Sequence, residues 1–288
     1  VSRSSDGELS SSAGTQADRS SMIAWTDDHH FSCKGVSFST RWEASTDDQL
    51  VTVKERSLID RWAELVPTYR GGRLVELGIF QGGSTALLAL LADPAKLLAI
   101  EYSPHRVRPL DRLLEARGMT DSVVTRYGVD QADGERLSEV VAEVMEGEPL
   151  DLVIDDASHD YHATVASFEV LFPKLRPGGL YLIEDWCWPE RASTPESEDP
   201  EELFSDLQPV IDMMQARLEE VRKGVPLHRM AVELVLARAS VQAVLGRVTA
   251  TPWWLIIERG EAPVADPFTY DDLLRDHFEL LRPRNPAG

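Results

Sequence analysis

One stretch limits what this chain can fold into more than any other. In Leu150-Asp151-Leu152-Val153-Ile154-Asp155-Asp156-Ala157-Ser158-His159 a short apolar run delivers two carboxylates and an imidazole to one edge. Leu152, Val153 and Ile154 are apolar in succession, without alternation, which is the pattern of a strand covered on both faces in a parallel sheet. A second run, Gly179-Leu180-Tyr181-Leu182-Ile183-Glu184-Asp185, ends in two more carboxylates after the turn Pro177-Gly178-Gly179. Between the runs, Tyr161, Val165, Phe168, Leu171 and Phe172 recur at helical spacing. Strand, crossover helix and strand of this length form a right-handed unit with parallel strands, so both carboxy ends open on one rim. In open α/β sheets ligands bind at that rim. The two strand ends are therefore expected to meet and hold a divalent metal.

The chain has 288 residues, enough for one main domain with additions. Its formal charge of −20 repels nucleic acid and anionic lipid surfaces, so neither is expected as a partner. Part of that charge is concentrated between Pro195 and Asp206, where Glu196, Glu198, Asp199, Glu201, Glu202 and Asp206 have no basic residue among them; this run reads as a solvated acidic loop. Cys33 and Cys187 suggest neither a disulfide framework nor a zinc site. No stretch approaches the ~18 apolar residues of a membrane span, and Val1 to Ser21 is polar and Ser-rich, without a signal core. A cytoplasmic protein with a disordered first 21 residues is the expectation.

From Met22 to Val53, Trp25, Phe31, Val36, Phe38 and Trp42 alternate with polar residues, which predicts an irregular segment pinned to the main domain by aromatics. His29 and His30, adjacent in a polar loop, read as solvated. Leu58 to Val66 has helical spacing and ends at Pro67. Arg73 to Leu77 reads as a strand that breaks at Gly78. Gly78-Ile79-Phe80-Gln81-Gly82-Gly83-Ser84-Thr85 then opens an apolar helix over 86–91, whose amino end offers unpaired N–H groups. The glycine spacing is not GxGxxG. The next strand, Leu97 to Glu101, ends in an acid 23 residues after Gly78, where a carboxylate can grip the hydroxyls of a ribose. Glycine turn and acid together imply a nucleoside ligand, and Asp130, after the strand Val123 to Tyr127, is placed to accept from an adenine amino group. Helices are expected over 104–117, 134–145, 203–221, 227–238 and 271–281. Ser240 to Thr249 and Trp253 to Glu258 read as an antiparallel hairpin closing a seven-stranded sheet.

This order of motifs resembles the class I S-adenosylmethionine-dependent methyltransferases, and within them the metal-dependent branch of macrolide-sugar O-methyltransferases and cephalosporin hydroxylase-like proteins. The resemblance rests on Val75-Glu76-Leu77-Gly78 with Gly82-Gly83-Ser84, on Glu101, on Ile154 to His159 and on Pro177 to Asp185, and it covers roughly 58–260. It implies an α/β, Rossmann-like fold with a mostly parallel sheet, helices on both faces and a C-terminal antiparallel hairpin. The corresponding organisation is a tail (1–21), a cap that sees the substrate (22–56), an S-adenosylmethionine-binding domain (57–262) and a helix with tail (263–288). Also implied is a cofactor site of Glu76, Gly78, Gln81, Gly82, Ser84, Glu101, Asp130, Gln131 and Asp155. Asp156, Glu184 and Asp185 would hold Mg²⁺, and His159 would be the general base. The register leaves Asp155 and Asp156 as alternative metal ligands, because a strand sends the two side chains to opposite faces.

Methyl transfer is displacement at a carbon already activated by a sulfonium, so a protein must mainly align an acceptor oxygen and take its proton. An imidazole of ordinary pKa, ~6.5, suits that step near neutrality. The expected activity is Mg²⁺-assisted O-methylation of a hydroxyl on a glycosylated or polyhydroxylated natural product. A small-molecule hydroxylated acceptor is the expected partner, and the resemblance implies a homo-oligomer, since related enzymes often assemble as symmetric oligomers. Two other classes stay open: a module that binds S-adenosylmethionine without catalysis, and a nicotinamide-dependent oxidoreductase. A purely structural reading also stands, in which Asp155 and Asp156 only cap the helix that follows.

Overall fold

The computed structural model describes residues 22–187, 224–265 and 267–278. The acidic run at 195–206, the helix expected over 203–221, Trp188 and the tail at 1–21 lie outside these residues. Near the amino end are β1 (Ile23–Trp25), β2 (His30–Cys33), β3 (Val36–Ser39) and β4 (Leu50–Val51), which form a sheet in that order. The irregular segment expected here is therefore a small sheet. Phe31 and Cys33 alternate with polar partners, as do Val36 and Phe38, and Lys34 and Gly35 at φ 48 and 76 make the tight turn between them.

The larger sheet comprises β5 (Arg73–Leu77), β6 (Lys96–Glu101), β7 (Val123–Tyr127), β8 (Leu150–Asp155), β9 (Leu175–Glu184), β10 (Leu245–Ala250) and β11 (Trp254–Arg259). Its order is β10-β11-β9-β8-β5-β6-β7, with β5 to β9 parallel and β10 and β11 antiparallel. Around it lie α1 (Arg56–Leu65), α2 (Gly83–Ala92), α3 (Arg108–Ala116), α4 (Gly134–Met145), α5 (Tyr161–Leu171), α6 (His228–Arg238) and α7 (Tyr270–Phe278). Among the described residues no helix is long and apolar enough to cross a membrane.

Two apolar clusters cover the two faces of this sheet. On one, α4, α5 and α6 pack Leu137, Val141, Phe168 and Leu234 against Val75, Val153 and Tyr181. On the other, α2 is buried along its whole length, and from Ala86 to Ala92 it is apolar all round. It sits in one cluster with Phe31, Phe38 and Leu50 of the small sheet and with Leu74, Leu97 and Leu152 of the large one. The N-terminal sheet is thus the lid of a core layer. Each fully covered leucine there contributes about 1.5–3 kcal/mol of transfer free energy.

Two glycines are required for the chain to close on itself at the rim. A Cβ on Gly78, whose φ is +97, would lie 2.2 Å from the Asp156 carbonyl oxygen. One on Gly83 would lie 2.3 Å from the Val51 carbonyl, beside the parallel bridge of Val51 to Gly82. The first glycine lets the end of β5 touch the end of β8; the second lets the small sheet reach the start of α2.

Candidate functional site at the carboxy ends of β8 and β9

Parallel pairing puts Leu77 opposite Asp155 and Asp155 opposite Ile183, so β5, β8 and β9 finish side by side. The Asp156 N–H still bonds the Leu77 carbonyl, at 3.0 Å, before the chain leaves the sheet. Within the next turn, ligand atoms of Asp156, His159 and Asp185 come within 4.8 Å of one another, all three side chains half-buried. His159 and Asp185 hold left-handed backbone, φ 53 and 49. Non-glycine residues in that region cost of order 1–3 kcal/mol and collect at functional sites. The cost is borne here at two of the three members of the cluster.

Capping of α5 falls to neither Asp155 nor Asp156. Asp160 does it, accepting from the N–H groups of His162 and Ala163 at 3.0 Å each. Asp155 points to the other face of the sheet and is buried. It accepts from Ser167 Oγ at 3.0 Å, Tyr181 OH at 3.1 Å and Gln131 Nε2 at 3.3 Å. Burial pushes its carboxyl up to about 6, against the pull of the Ser167 and Tyr181 hydroxyls. Gln131 is buried too, and its Oε1 accepts the Ser158 N–H at 3.0 Å. Asp155 and Gln131 therefore brace the loop that carries His159 from behind.

Glu184, expected as a metal ligand, ends its strand in a buried pocket of donors. Its Oε1 accepts the indole N–H of Trp62 at 2.8 Å and that of Trp254 at 3.0 Å. Its Oε2 bonds Lys54 Nζ, which also donates to Asp156 Oδ2 at 2.5 Å. Glu184 and Asp156 are thus two hydrogen-bond lengths apart through one ammonium. Burial by itself would lower the Lys54 pKa, but Asp156 and Glu184 outweigh it and raise it, so the lysine is charged. Burial likewise raises Glu184, with Lys54 opposing.

On the β5–β6 side, Glu76 is buried and accepts from Thr85 Oγ1 at 2.6 Å. Its carboxyl is pushed up to about 7 by burial, against hydrogen bonds from Thr85 and Ser84. Glu101 Oε2 accepts the N–H groups of Ile79 and Phe80 at 3.0 and 2.9 Å, and Oε1 that of Ser103 at 2.9 Å. Three of about four acceptor positions are thereby filled, which leaves one for a hydroxyl. Gly82 takes φ 81 at the N-cap of α2, and Ser84 is buried in its first turn. Gln81 faces the small sheet, its Oε1 accepting the Ser45 N–H at 3.1 Å. Asp130 is exposed and accepts the Ala132 N–H at 2.8 Å.

Residues 75–186, from β5 to the residue after Asp185, match the family described as "Methyltransferase domain". That match covers less than half of the chain. Demethylmacrocin O-methyltransferase of Streptomyces fradiae is 49% identical over 69 residues, 23% of this chain and 17% of that protein. L-olivosyl-oleandolide 3-O-methyltransferase of Streptomyces antibioticus is 40% identical over 113 residues, 39% of this chain and 28% of that protein. The matched segments thus span less than a third of either relative. The MycE methyltransferase of the mycinamycin biosynthetic pathway, solved in complex with Mg, SAH and mycinamycin VI, aligns with a TM-score of 0.47 and 23% identity over 69% of this chain and 48% of that one.

The matched residues supply every member of the cluster, but Lys54 and Trp62 come from outside them. Sequence reasoning missed both as site residues. Trp62 had one available signal: a buried indole N–H needs an acceptor, and α1 offers none. Lys54 had only its position, one charge after the apolar-rich run Leu50 to Val53.

Proposed function

We propose that this protein is an S-adenosylmethionine-dependent O-methyltransferase, assisted by Mg²⁺, whose acceptor is a hydroxyl on a glycosylated or polyhydroxylated natural product. The observation that carries this is the convergence of Asp156, His159 and Asp185 at the carboxy ends of adjoining strands, within the residues that match a methyltransferase domain. Two carboxylates and an imidazole suit a divalent cation, and the carboxylates are the hard oxygen ligands that Mg²⁺ takes. When bound, S-adenosylmethionine supplies an electrophilic methyl carbon, and Mg²⁺ a charge that favours ionisation of a nearby hydroxyl. Asp156 and Asp185 would hold the ion. His159, beside them, would take the acceptor proton, while Glu101 keeps an acceptor position for a ribose hydroxyl and orders the loop from Ile79 to Phe80.

The acceptor class is supported by the relatives, two of which are named for methylation on macrolides or their sugars. A hollow of about 500 Å³ lined by Trp186, His228, Ala231, Val235, Leu236 and Ala250 begins one residue after Asp185 and offers an apolar wall for the body of such a compound. We place the protein in the cytoplasm as a reading of its two cysteines, neither in a disulfide. The test is methyl transfer from labelled S-adenosylmethionine to a panel of glycosylated polyketides, with and without EDTA. Product that EDTA suppresses and Mg²⁺ restores is expected; transfer that EDTA leaves untouched would remove the metal from the reading.

A further inference from the structure

The N-terminal sheet is lashed to the loop between β5 and α2, and Ser45 is the knot. Its N–H donates to Gln81 Oε1 at 3.1 Å, its Oγ donates to the Gln81 carbonyl at 2.7 Å, and the same Oγ accepts the Val51 N–H at 2.9 Å. Three residues earlier, Trp42 meets the edge of Phe80, ring centroids 5.8 Å apart at 70°. Two residues later, Asp47 pairs with Arg112 of α3. Phe80 is held at φ 49 and is 46% exposed, a costly placement for a large apolar residue unless its neighbours impose it. Glu101 clamps the same loop from the β6 side, through the N–H groups of Ile79 and Phe80. The loop is thus gripped from two sides, and only the Glu101 side lies within residues 75–186. The Ser45 N–H also settles which end of the Gln81 amide is which: Oε1 must face that donor, so the NH2 group turns away from the small sheet. Among the described residues no acceptor takes it.

We propose that Ser45 is a positioning residue for S-adenosylmethionine: it fixes the path of the loop from Ile79 to Gln81 and presents the Gln81 NH2 group as a donor for the carboxylate of the cofactor. That carboxylate is the one anionic group the cofactor carries, and an amide NH2 with an empty acceptor side suits it. The small sheet therefore serves cofactor binding as well as covering α2. This rests on the S-adenosylmethionine part of the function proposed above.

Calorimetric binding of S-adenosylhomocysteine to the full chain, without acceptor or metal, tests it in wild type, Ser45→Ala, Gln81→Glu and Thr26→Val. Ser45→Ala removes both Oγ bonds and is expected to bind about tenfold more weakly, the equivalent of one or two ordinary hydrogen bonds. Gln81→Glu keeps an acceptor for the Ser45 N–H but sets an anionic oxygen where the NH2 group was, so it should lose at least about tenfold, through repulsion of the ligand carboxylate. Thr26→Val breaks a bond elsewhere in the small sheet, from the Thr26 hydroxyl to the His30 carbonyl at 3.1 Å, and should bind as wild type does. Wild-type affinity in Ser45→Ala or in Gln81→Glu overturns the proposal. So does a loss in Thr26→Val equal to that in Ser45→Ala, which would reduce the effect to a general loosening of the small sheet. Should Ser45→Ala fail to fold, Gln81→Glu decides by itself, since it leaves the Ser45 bonds in place. A wild-type chain that binds no S-adenosylhomocysteine overturns this proposal together with the S-adenosylmethionine reading, whereas wild-type binding that the two loop variants match overturns this one alone.

Discussion

Asp155 and Asp156 are consecutive residues at the end of one strand, yet they sit in opposite surroundings. Asp155 is 2% exposed and closed in by neutral donors from Ser167, Tyr181 and Gln131. Asp156 faces the rim with its side chain 22% exposed, near a second carboxylate, an imidazole and the Lys54 ammonium. The pleat of the strand makes the separation, and the chemistry follows from it. A carboxylate satisfied by hydroxyls and an amide has nothing further to bind and serves as a joint. Two carboxylates brought together, one of them on Asp185 at φ 49, repel each other unless a cation joins them. One side of β8 is thus closed by neutral donors, and the other gathers charged groups at the rim.

That contrast can be broken from either side. The largest effect is expected on the open side: Asp156→Ala and Asp185→Ala should each bring methyl transfer below detection while thermal melting stays near wild type. His159→Ala should come next, slowing turnover by ~10² to 10⁴, the usual worth of a general base, again with little change in melting. The closed side should behave in reverse. Asp155→Ala leaves Tyr181, Ser167 and Gln131 without their acceptor and should cost about 3–5 kcal/mol in urea unfolding. Any fall in activity there should scale with the loss of folded protein. If Asp155→Ala were as stable as wild type but inactive, the division of labour between the two aspartates would be wrong.

The β8–α5–β9 unit was legible because its determinants are local: an uninterrupted apolar run, a helical stripe and a second apolar run fix which strand ends adjoin. The hairpin of β10 and β11 was legible on similar grounds, around Pro252. What could not be read is what arrives from far away. Lys54 lies 102 residues from Asp156 and 130 from Glu184, and Trp62 lies 122 from Glu184, so no spacing rule connects them. The same holds for side-chain partners. That Glu101 would bond the amides of Ile79 and Phe80, or Gln81 the Ser45 backbone, depends on loop paths that composition does not set. The small N-terminal sheet was missed for another reason: strands of two to four residues barely exceed the length at which alternation can be told from chance.

The smallest effect, and the one that sharpens the comparison, concerns Glu76. Like Asp155 it is a buried carboxyl at the end of a strand, but it has fewer donors, and burial holds it up at about 7 against an ordinary value of 4.5. The folded state therefore binds this proton more tightly than the unfolded chain. Stability should be fully retained below about 4.5 and fall as pH rises through about 7, because the ionised form is the one that burial penalises. Glu76→Gln removes the ionisation and keeps an oxygen for the Thr85 hydroxyl. It should melt with wild type at pH 4.5 and be more stable at pH 8, by at most about 3 kcal/mol, the free-energy equivalent of the shift. Melting curves for the two proteins across that range decide the point: equal melting at both ends would mean that Glu76 ionises at no cost, and that its burial, unlike that of Asp155, is relieved by groups other than Thr85 and Ser84.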